Sequence, residues 1–326
     1  MRIGRNNNSA PSRRRFLQLT AATSAAALCG IRSVSAAPET HIWQGSALGA
    51  DATITLGGLA EDDAETLFQD CLNEISRLEA QFSLYREDSA LIRLNRDGTL
   101  ERPTAEFIEL LNISRRISVA TSGAFDPSVQ PLWQAYAAGG GSADELAAAK
   151  MLVDFNSVTW NAERVAFARD GMAMTLNGIA QGFITDHVAD HLRGKGLTSV
   201  LVNLGEYSAI GAHPELRPWQ VGIQDPSSAN GFVEIVELQD QALATSGAYG
   251  GLLGPNGQSN HLFDPRSGQS ARLYSSVSVV HPSSTIADGL STAFSFLSEE
   301  EIQTALGVFD GARALIVRHD GTLARI

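Results

Sequence analysis

Cysteine is almost missing from this chain of 326 residues, and basic charge is scarce. The two cysteines are Cys29 and Cys71. The first falls in an N-terminal leader, so the folded body would hold one thiol and no internal disulfide. Lys and Arg total 24 against 36 Asp and Glu. That imbalance argues against nucleic acid and anionic lipid as partners. Beyond the first 40 residues no apolar run is long and clean enough to span a bilayer. The Lys-Ser/Thr pair of a P-loop and the third glycine of a dinucleotide fingerprint are also lacking. His187 and His191 stand four residues apart, but no third ligand at metal-site spacing accompanies them.

What is present begins with a leader. Ser12-Arg13-Arg14-Arg15-Phe16-Leu17 opens an Ala-rich apolar stretch, and Val34-Ser35-Ala36 offers a small-residue cleavage site. A twin arginine before Phe-Leu predicts a Tat signal over residues 1–36, export to the periplasm, and a folded domain over residues 37–326. Leu28 stands where a lipoprotein cysteine would need a small residue, which argues against a lipid anchor at Cys29. Residues 1–36 hold six arginines and no acid, so the remainder carries 18 basic against 36 acidic residues, net −18.

In that remainder, residues 41–57 alternate as strand does, with a break at Gly49. Apolar residues spaced by three and four predict a helix over 62–82, with Cys71 on its buried stripe. A second helix is expected from Pro103, as a first-turn proline, to Ala120. Short strands are expected over 152–176, a helix over 179–194, and strands at 199–203, 219–223, 232–237 and 274–280. A helix near 285–297 and two closing strands, 312–318 and 322–326, complete the pattern. Helices first and clustered strands later predict an α+β fold. Thr121-Ser122-Gly123-Ala124-Phe125 is echoed by Thr245-Ser246-Gly247-Ala248-Tyr249, which predicts two similar glycine loops, each presenting an aromatic ring.

Several short segments carry groups suited to chemistry. Asp288 and Thr292 are four apart on a predicted helix, so carboxylate and hydroxyl share a face. Oxygen ligands of that kind suit Mg²⁺. A helix-start aspartate with a surface threonine would look the same. Asn260-His261-Leu262-Phe263-Asp264-Pro265-Arg266-Ser267-Gly268 gathers an imidazole, a carboxylate and a guanidinium in one turn. It could serve acid–base work and phosphate binding, or be a polar hairpin loop capped by Asp264. Asn177-Gly178-Ile179-Ala180-Gln181-Gly182-Phe183 passes from strand to helix with two glycines, as a phosphate-binding helix start would. Among loop aromatics, Phe82 is expected to plug the core and Tyr85 to stack on a flat heterocycle.

The order of these blocks resembles the ApbE family of FAD:protein FMN transferases. The series runs F-S-x-Y, D-S-x-[LI]-x-x-L-N, S-G-A-F-D-P, N-G-I-A-Q-G-F-x-x-D, V-N-L-G, W-x-V-G-I-x-D-P, A-T-S-G-x-Y, H-x-x-D-P-R-S-G and A-D-x-x-x-T. The resemblance implies two lobes of mostly antiparallel sheet with helices, with FAD held between them. It implies Mg²⁺ on Asp288, Thr292 and the Ala180 carbonyl, and flavin contacts from Leu48, Tyr85, Ala124, Phe125, Asp126, Asn177, Phe183 and Phe263. It further implies His261 and Asp264 beside the reacting phosphate. The activity implied is transfer of FMN to a Ser or Thr of an acceptor flavoprotein bearing a Ser/Thr-Gly-Ala-Ser/Thr motif, with release of AMP. An FAD pyrophosphatase and a non-catalytic FAD-binding or delivery protein are the alternatives.

The chain also departs from the family pattern. Gln181 stands where many members have Lys, Glu206 replaces a glycine, and Ser291 falls where some have a second Asp. Leu48 and Ala50 replace Met and Thr. N-G-I-A-Q-G together with the Tat leader resembles the NosX branch linked to nitrous-oxide respiration, whose implied acceptor is the NosR-type membrane flavoprotein.

Overall fold

Antiparallel pairing accounts for every strand in the computed structural model, which describes residues 39–326 except 48, 140, 141, 227, 229, 230, 250, 252 and 254–258. The leader, its cleavage site and Leu48 therefore lie outside the described residues. The first hairpin joins β1 (Thr40–Ala47) to β2 (Ala50–Gly57), with Gly49 at φ +79° in the turn. A left-handed φ of that size is where glycine belongs.

Helix α1 (Glu61–Phe82) buries Ala64, Cys71, Ile75, Leu78 and Phe82, the stripe expected from its spacing. Burial, reinforced by neighbouring Asp70, pushes the Cys71 thiol up to about 12. Next come α2 (Ala90–Asp97), β3 (Thr99–Glu101) and α3 (Ala105–Ala120). The α3 start corrects the expectation for Pro103. Thr104 caps the helix by accepting the Phe107 amide, which leaves Pro103 just outside. A hydroxyl that satisfies a free amide decides the boundary.

A 3-10 turn (Pro127–Val129) leads into α4 (Gln130–Ala137), followed by α5 (Ala143–Met151), β4 (Val158–Trp160) and β5 (Arg164–Phe167). The strands expected across 152–176 thus shrink to two. The Asn95 side chain takes both the Met174 amide and its carbonyl, so this segment runs as irregular backbone. Helix α6 (Ala180–Gly194) precedes β6 (Ser199–Asn203), β7 (Tyr207–Gly211), β8 (Trp219–Gln224), β9 (Phe232–Leu238), β10 (Ala242–Gly247) and β11 (Ser276–His281). The chain closes with α7 (Ser284–Phe294), α8 (Glu299–Leu306), β12 (Arg313–Val317) and β13 (Leu323–Arg325).

The fold is α+β, as expected. Eight strands form one sheet in the order β1-β2-β6-β7-β10-β11-β12-β13, and the other strands form the small sheets β3-β5-β4 and β8-β9. The large sheet is covered on both faces. Ile210, Ala244, Ala314 and Ile316 join the main core with Ile286 and Leu290 of α7. Their chain neighbours Ala209, Leu243 and Leu315 turn to the other side and pack against Trp219, Val221 and Val236 of the β8-β9 hairpin. Alternation at period two feeds both cores.

The paired Thr-Ser-Gly segments are not twin loops. Thr121 ends α3 by accepting and donating at its hydroxyl, and Phe125 is buried. Thr245, Ser246 and Gly247 instead finish β10, paired with β11.

Candidate active site

Where α6 and α7 cross beside the end of β10, the walls of a cavity of about 670 Å³ are built from seven parts of the chain. Leu84 and Tyr85 come from the turn after α1, and Gln130 and Trp133 from α4. Asn177, Gly178 and Gln181 come from the start of α6, Glu206 from the β6–β7 turn, and Thr245 to Gly247 from β10. His261, Leu262 and Phe263 share one loop, and Asp288 and Thr292 lie on α7.

Two glycines allow the close approach of α6 and α7. A Cβ on Gly178 would lie 2.9 Å from Thr292 Oγ1, and one on Gly182 would lie 2.4 Å from the Ser284 carbonyl oxygen. That proximity lets the Gly182 amide donate to Asp288 Oδ2 at 2.9 Å. Asp186, the last residue of the N-G-I-A-Q-G-F-x-x-D block, fixes the same crossing from its far end. Its carboxylate accepts from Ser283 Oγ at 2.6 Å, the Ser284 amide at 2.7 Å, the Thr285 amide at 2.9 Å and Thr285 Oγ1 at 2.6 Å. It therefore anchors the first turn of α7 to α6.

On α7, Asp288 is only 4% exposed. Burial first, opposed by the Gly182 hydrogen bond and aided by nearby Asp186, raises its carboxyl to about 7. Glu206 is 8% exposed and is likewise raised well above the usual carboxylate range, by burial first and then by Asp288. Its Oε2 accepts the Thr245 amide at 3.1 Å. Thr292 Oγ1 lies 3.4 Å from Ser246 Oγ and donates to the Gly178 carbonyl at 3.4 Å. Ser291 joins Ser246 at 2.8 Å and donates to the Asp288 carbonyl. Gln181 gives its amide to the Leu204 carbonyl at 3.4 Å. Among the described residues no Lys or Arg lines the cavity. The walls are acidic, hydroxylated and aromatic, with one imidazole from His261, and the groups gathered beside Asp288 are oxygen donors. Such a set matches a hard divalent cation.

Of the residues singled out in the sequence, Tyr85, Asn177, His261, Phe263, Asp288 and Thr292 line this one cavity. Tyr85 is 78% exposed at its rim. Phe263 is buried and stacks on Tyr136 at 4.4 Å between ring centres, which holds the ring in place. Ala180 opens α6, one residue before Gln181 on the wall, with its methyl group buried.

Four side chains do not line the cavity. Ala124 and Phe125 point into the core. Asp126 caps the 3-10 turn, accepting from the Ser128 amide, Ser128 Oγ and the Phe155 amide, and so steers Gln130 and Trp133 to the wall. Phe183 packs edge-on against Phe82 at 5.5 Å. Both rings are apolar and face the core side of α6, so burial decides their direction.

Asp264 is also absent from the wall. It accepts the Arg266 amide, pairs with the Arg266 guanidinium at 3.0 Å and receives Ser267 Oγ. Arg266 in turn donates to the Phe296 carbonyl. The turn-capping alternative holds for Asp264, and its oxygens are committed. Glu206, Ser246 and Trp133 were not among the expected site residues. Glu206 carried a signal as an acid in a small-residue turn, and Ser246 as part of the A-T-S-G-x-Y block.

The comparisons agree with this architecture. The ApbE family profile matches residues 46–316. The FAD:protein FMN transferase of Vibrio cholerae is 30% identical over 252 residues, covering 73% of this chain and 75% of its own. That of Klebsiella pneumoniae is 28% identical over 286 residues, covering 82% of each. The crystal structure of the Pseudomonas stutzeri flavinyl transferase ApbE in its apo form superposes with a TM-score of 0.76 at 28% identity, over 89% of this chain and 94% of that one. With the family profile over residues 46–316 and the superposition over 89% of the chain in agreement, the chain belongs to the ApbE family.

Proposed function

We propose that this protein is an FAD:protein FMN transferase that works with Mg²⁺. The observation that carries this is one cavity in which Asp288 and Thr292 lie beside the start of α6, with Tyr85, Trp133 and Phe263 on its other walls. The aromatic side suits an isoalloxazine, and the oxygen-rich side suits a diphosphate held through a cation. Relatives of 28–30% identity that bear the transferase name support the reaction class.

In the reaction, the hydroxyl of an acceptor Ser or Thr attacks the FMN-side phosphorus of FAD. A new P–O bond forms, the bridging P–O bond breaks, and AMP leaves with the bridging oxygen. Mg²⁺, when bound, supplies positive charge against the phosphoryl oxygens as negative charge grows on them. Asp288 and Thr292 would hold the cation, Asp288 being aimed by the Gly182 amide. His261, which lines the same cavity, takes the proton from the attacking hydroxyl. Phe263, held by Tyr136, and Tyr85 orient the flavin.

The leader and the N-G-I-A-Q-G variant support a narrower proposal: Tat export to the periplasm, and a NosR-type membrane flavoprotein as acceptor. Replacing Arg13 and Arg14 by Lys should leave the protein in the cytoplasm. Unchanged periplasmic yield would reject the Tat route.

Transfer itself is tested by incubating the protein with FAD, Mg²⁺ and either a Ser/Thr-Gly-Ala-Ser/Thr peptide or the candidate acceptor domain. Covalent FMN on the acceptor with AMP release is the expected result, faster on the acceptor domain. Free FMN would mark a pyrophosphatase, and intact FAD a carrier. Asp288→Ala should cut transfer on the order of a hundredfold or more while the circular dichroism is kept.

A further inference from the structure

Glu206 has no place in the ligand set that the family pattern implies, yet it is the other acid in the cavity. It follows Gly205, whose φ of +102° turns the chain between β6 and β7. Each of the two acids commits one oxygen to a backbone amide, Glu206 Oε2 to Thr245 and Asp288 Oδ2 to Gly182. Glu206 Oε1 and Asp288 Oδ1 have no hydrogen-bond donor among the described residues. Both side chains are more than nine-tenths buried and both line the cavity.

Among the described residues no Lys or Arg of the wall balances them. Gln181, at the position where a Lys would bring charge, presents a neutral amide. It also packs so closely on Gly205 that a Cβ there would lie 2.4 Å from its Nε2. Two buried acids without a Lys or Arg partner avoid the cost of their charge by holding protons, and a bound cation is the partner that lets both ionise. Thr292 Oγ1 and Ser246 Oγ add hydroxyl oxygens on the same wall.

We propose that Glu206 is a second carboxylate ligand of the cation centre in this chain, so that a divalent cation binds to the protein before FAD arrives. With one carboxylate, Mg²⁺ depends on substrate phosphate to complete its charge and coordination. With two, the charge of the ion is already met by protein oxygens. The inference rests on the transferase reading of the cavity, which the experiment separates from it.

The test uses Mn²⁺ as probe, with binding to the full chain followed by electron paramagnetic resonance of the free ion. Wild-type protein without FAD should bind one Mn²⁺. Glu206→Gln, which keeps shape and removes charge, should weaken that binding at least tenfold, and FAD should restore part of it. Glu206→Asp, which keeps charge and withdraws the oxygens, should also weaken it, so the test survives if one variant misfolds. Equal Mn²⁺ affinity in wild type and both variants would overturn the proposal, as would absence of Mn²⁺ binding by the wild type until FAD is added. If Asp288→Asn then loses Mn²⁺ binding in the presence of FAD, the transferase site still stands. If it does not, that site has failed as well.

Discussion

At Gly182 a single hydrogen in place of a methyl group lets α6 sit against α7. A Cβ there would meet the Ser284 carbonyl at 2.4 Å and Asp288 Cβ at 2.8 Å, and neither the backbone nor a helix-borne Cβ can move aside cheaply. Gly182→Ala is therefore expected to destabilise the fold by about 1–3 kcal/mol, the range for forcing a methylene into a packed contact. It should also lower FMN transfer, because the amide that aims Asp288 moves with the backbone. A urea midpoint equal to that of the wild type would show that the helices part freely there. A helix repeat puts Asp288 and Thr292 on one face, but a cap aspartate with a surface threonine would read the same, and it is the order of the motif blocks that singles the pair out. Phe183 and Phe125 lie in motif blocks too, but whether such a ring faces a cavity or the core depends on partners distant in sequence, such as Phe82. Asp264 illustrates the same limit: an acid in a Pro-Gly turn reads alike as catalyst and as cap until its oxygens are seen to be taken by Arg266 and Ser267.

The α6–α7 pair is the element on which the site is mounted, and Asp186 holds it together with four hydrogen bonds to the first turn of α7. Hydrogen bonds to a charged group contribute about 1.5–3 kcal/mol each when their loss leaves donors buried. Some of these donors can find water, so Asp186→Ala is expected to cost about 2–4 kcal/mol in a denaturant titration. Because α7 carries Asp288 and Thr292, the variant should also need more Mg²⁺ for half-maximal transfer. An unchanged Mg²⁺ requirement would uncouple the cap from the site. The long helices α1, α3 and α6 were legible within a residue or two at their ends, α1 from its apolar periodicity and α3 from the proline that precedes it. The eight- and nine-residue helices α2, α4, α5 and α8 were not, since two turns give too few repeats to separate from loop. Strands β7 and β10 were missed for a different reason. Their Ala- and Ser-rich sequences are buried on both faces of the large sheet, so neither alternation nor a bulky β-branched run marks them.

For the molecule as a whole, the cavity draws its lining from Leu84 through Phe296, so a ligand held there ties together segments that are far apart in sequence. Ligand that binds only the folded state stabilises it by about 2.7 kcal/mol at a hundredfold excess over Kd. For a domain of this size that raises Tm by roughly 5 °C. FAD would bring its diphosphate to a wall that carries Glu206 and Asp288 and, among the described residues, no Lys or Arg, so wherever those acids are ionised like charges oppose binding until a cation lies between them. FAD with EDTA should therefore raise Tm little, and Mg²⁺ alone should raise it measurably. The two together should raise it by more than the sum of the separate shifts. The surplus is the coupling free energy between cation and dinucleotide. It should shrink in Asp288→Ala, which lacks the carboxylate proposed to join the ion to the fold. A full FAD shift in EDTA, with no further gain from Mg²⁺, would mean that the diphosphate is held without the acidic wall, and the cavity would need a different account of its charge.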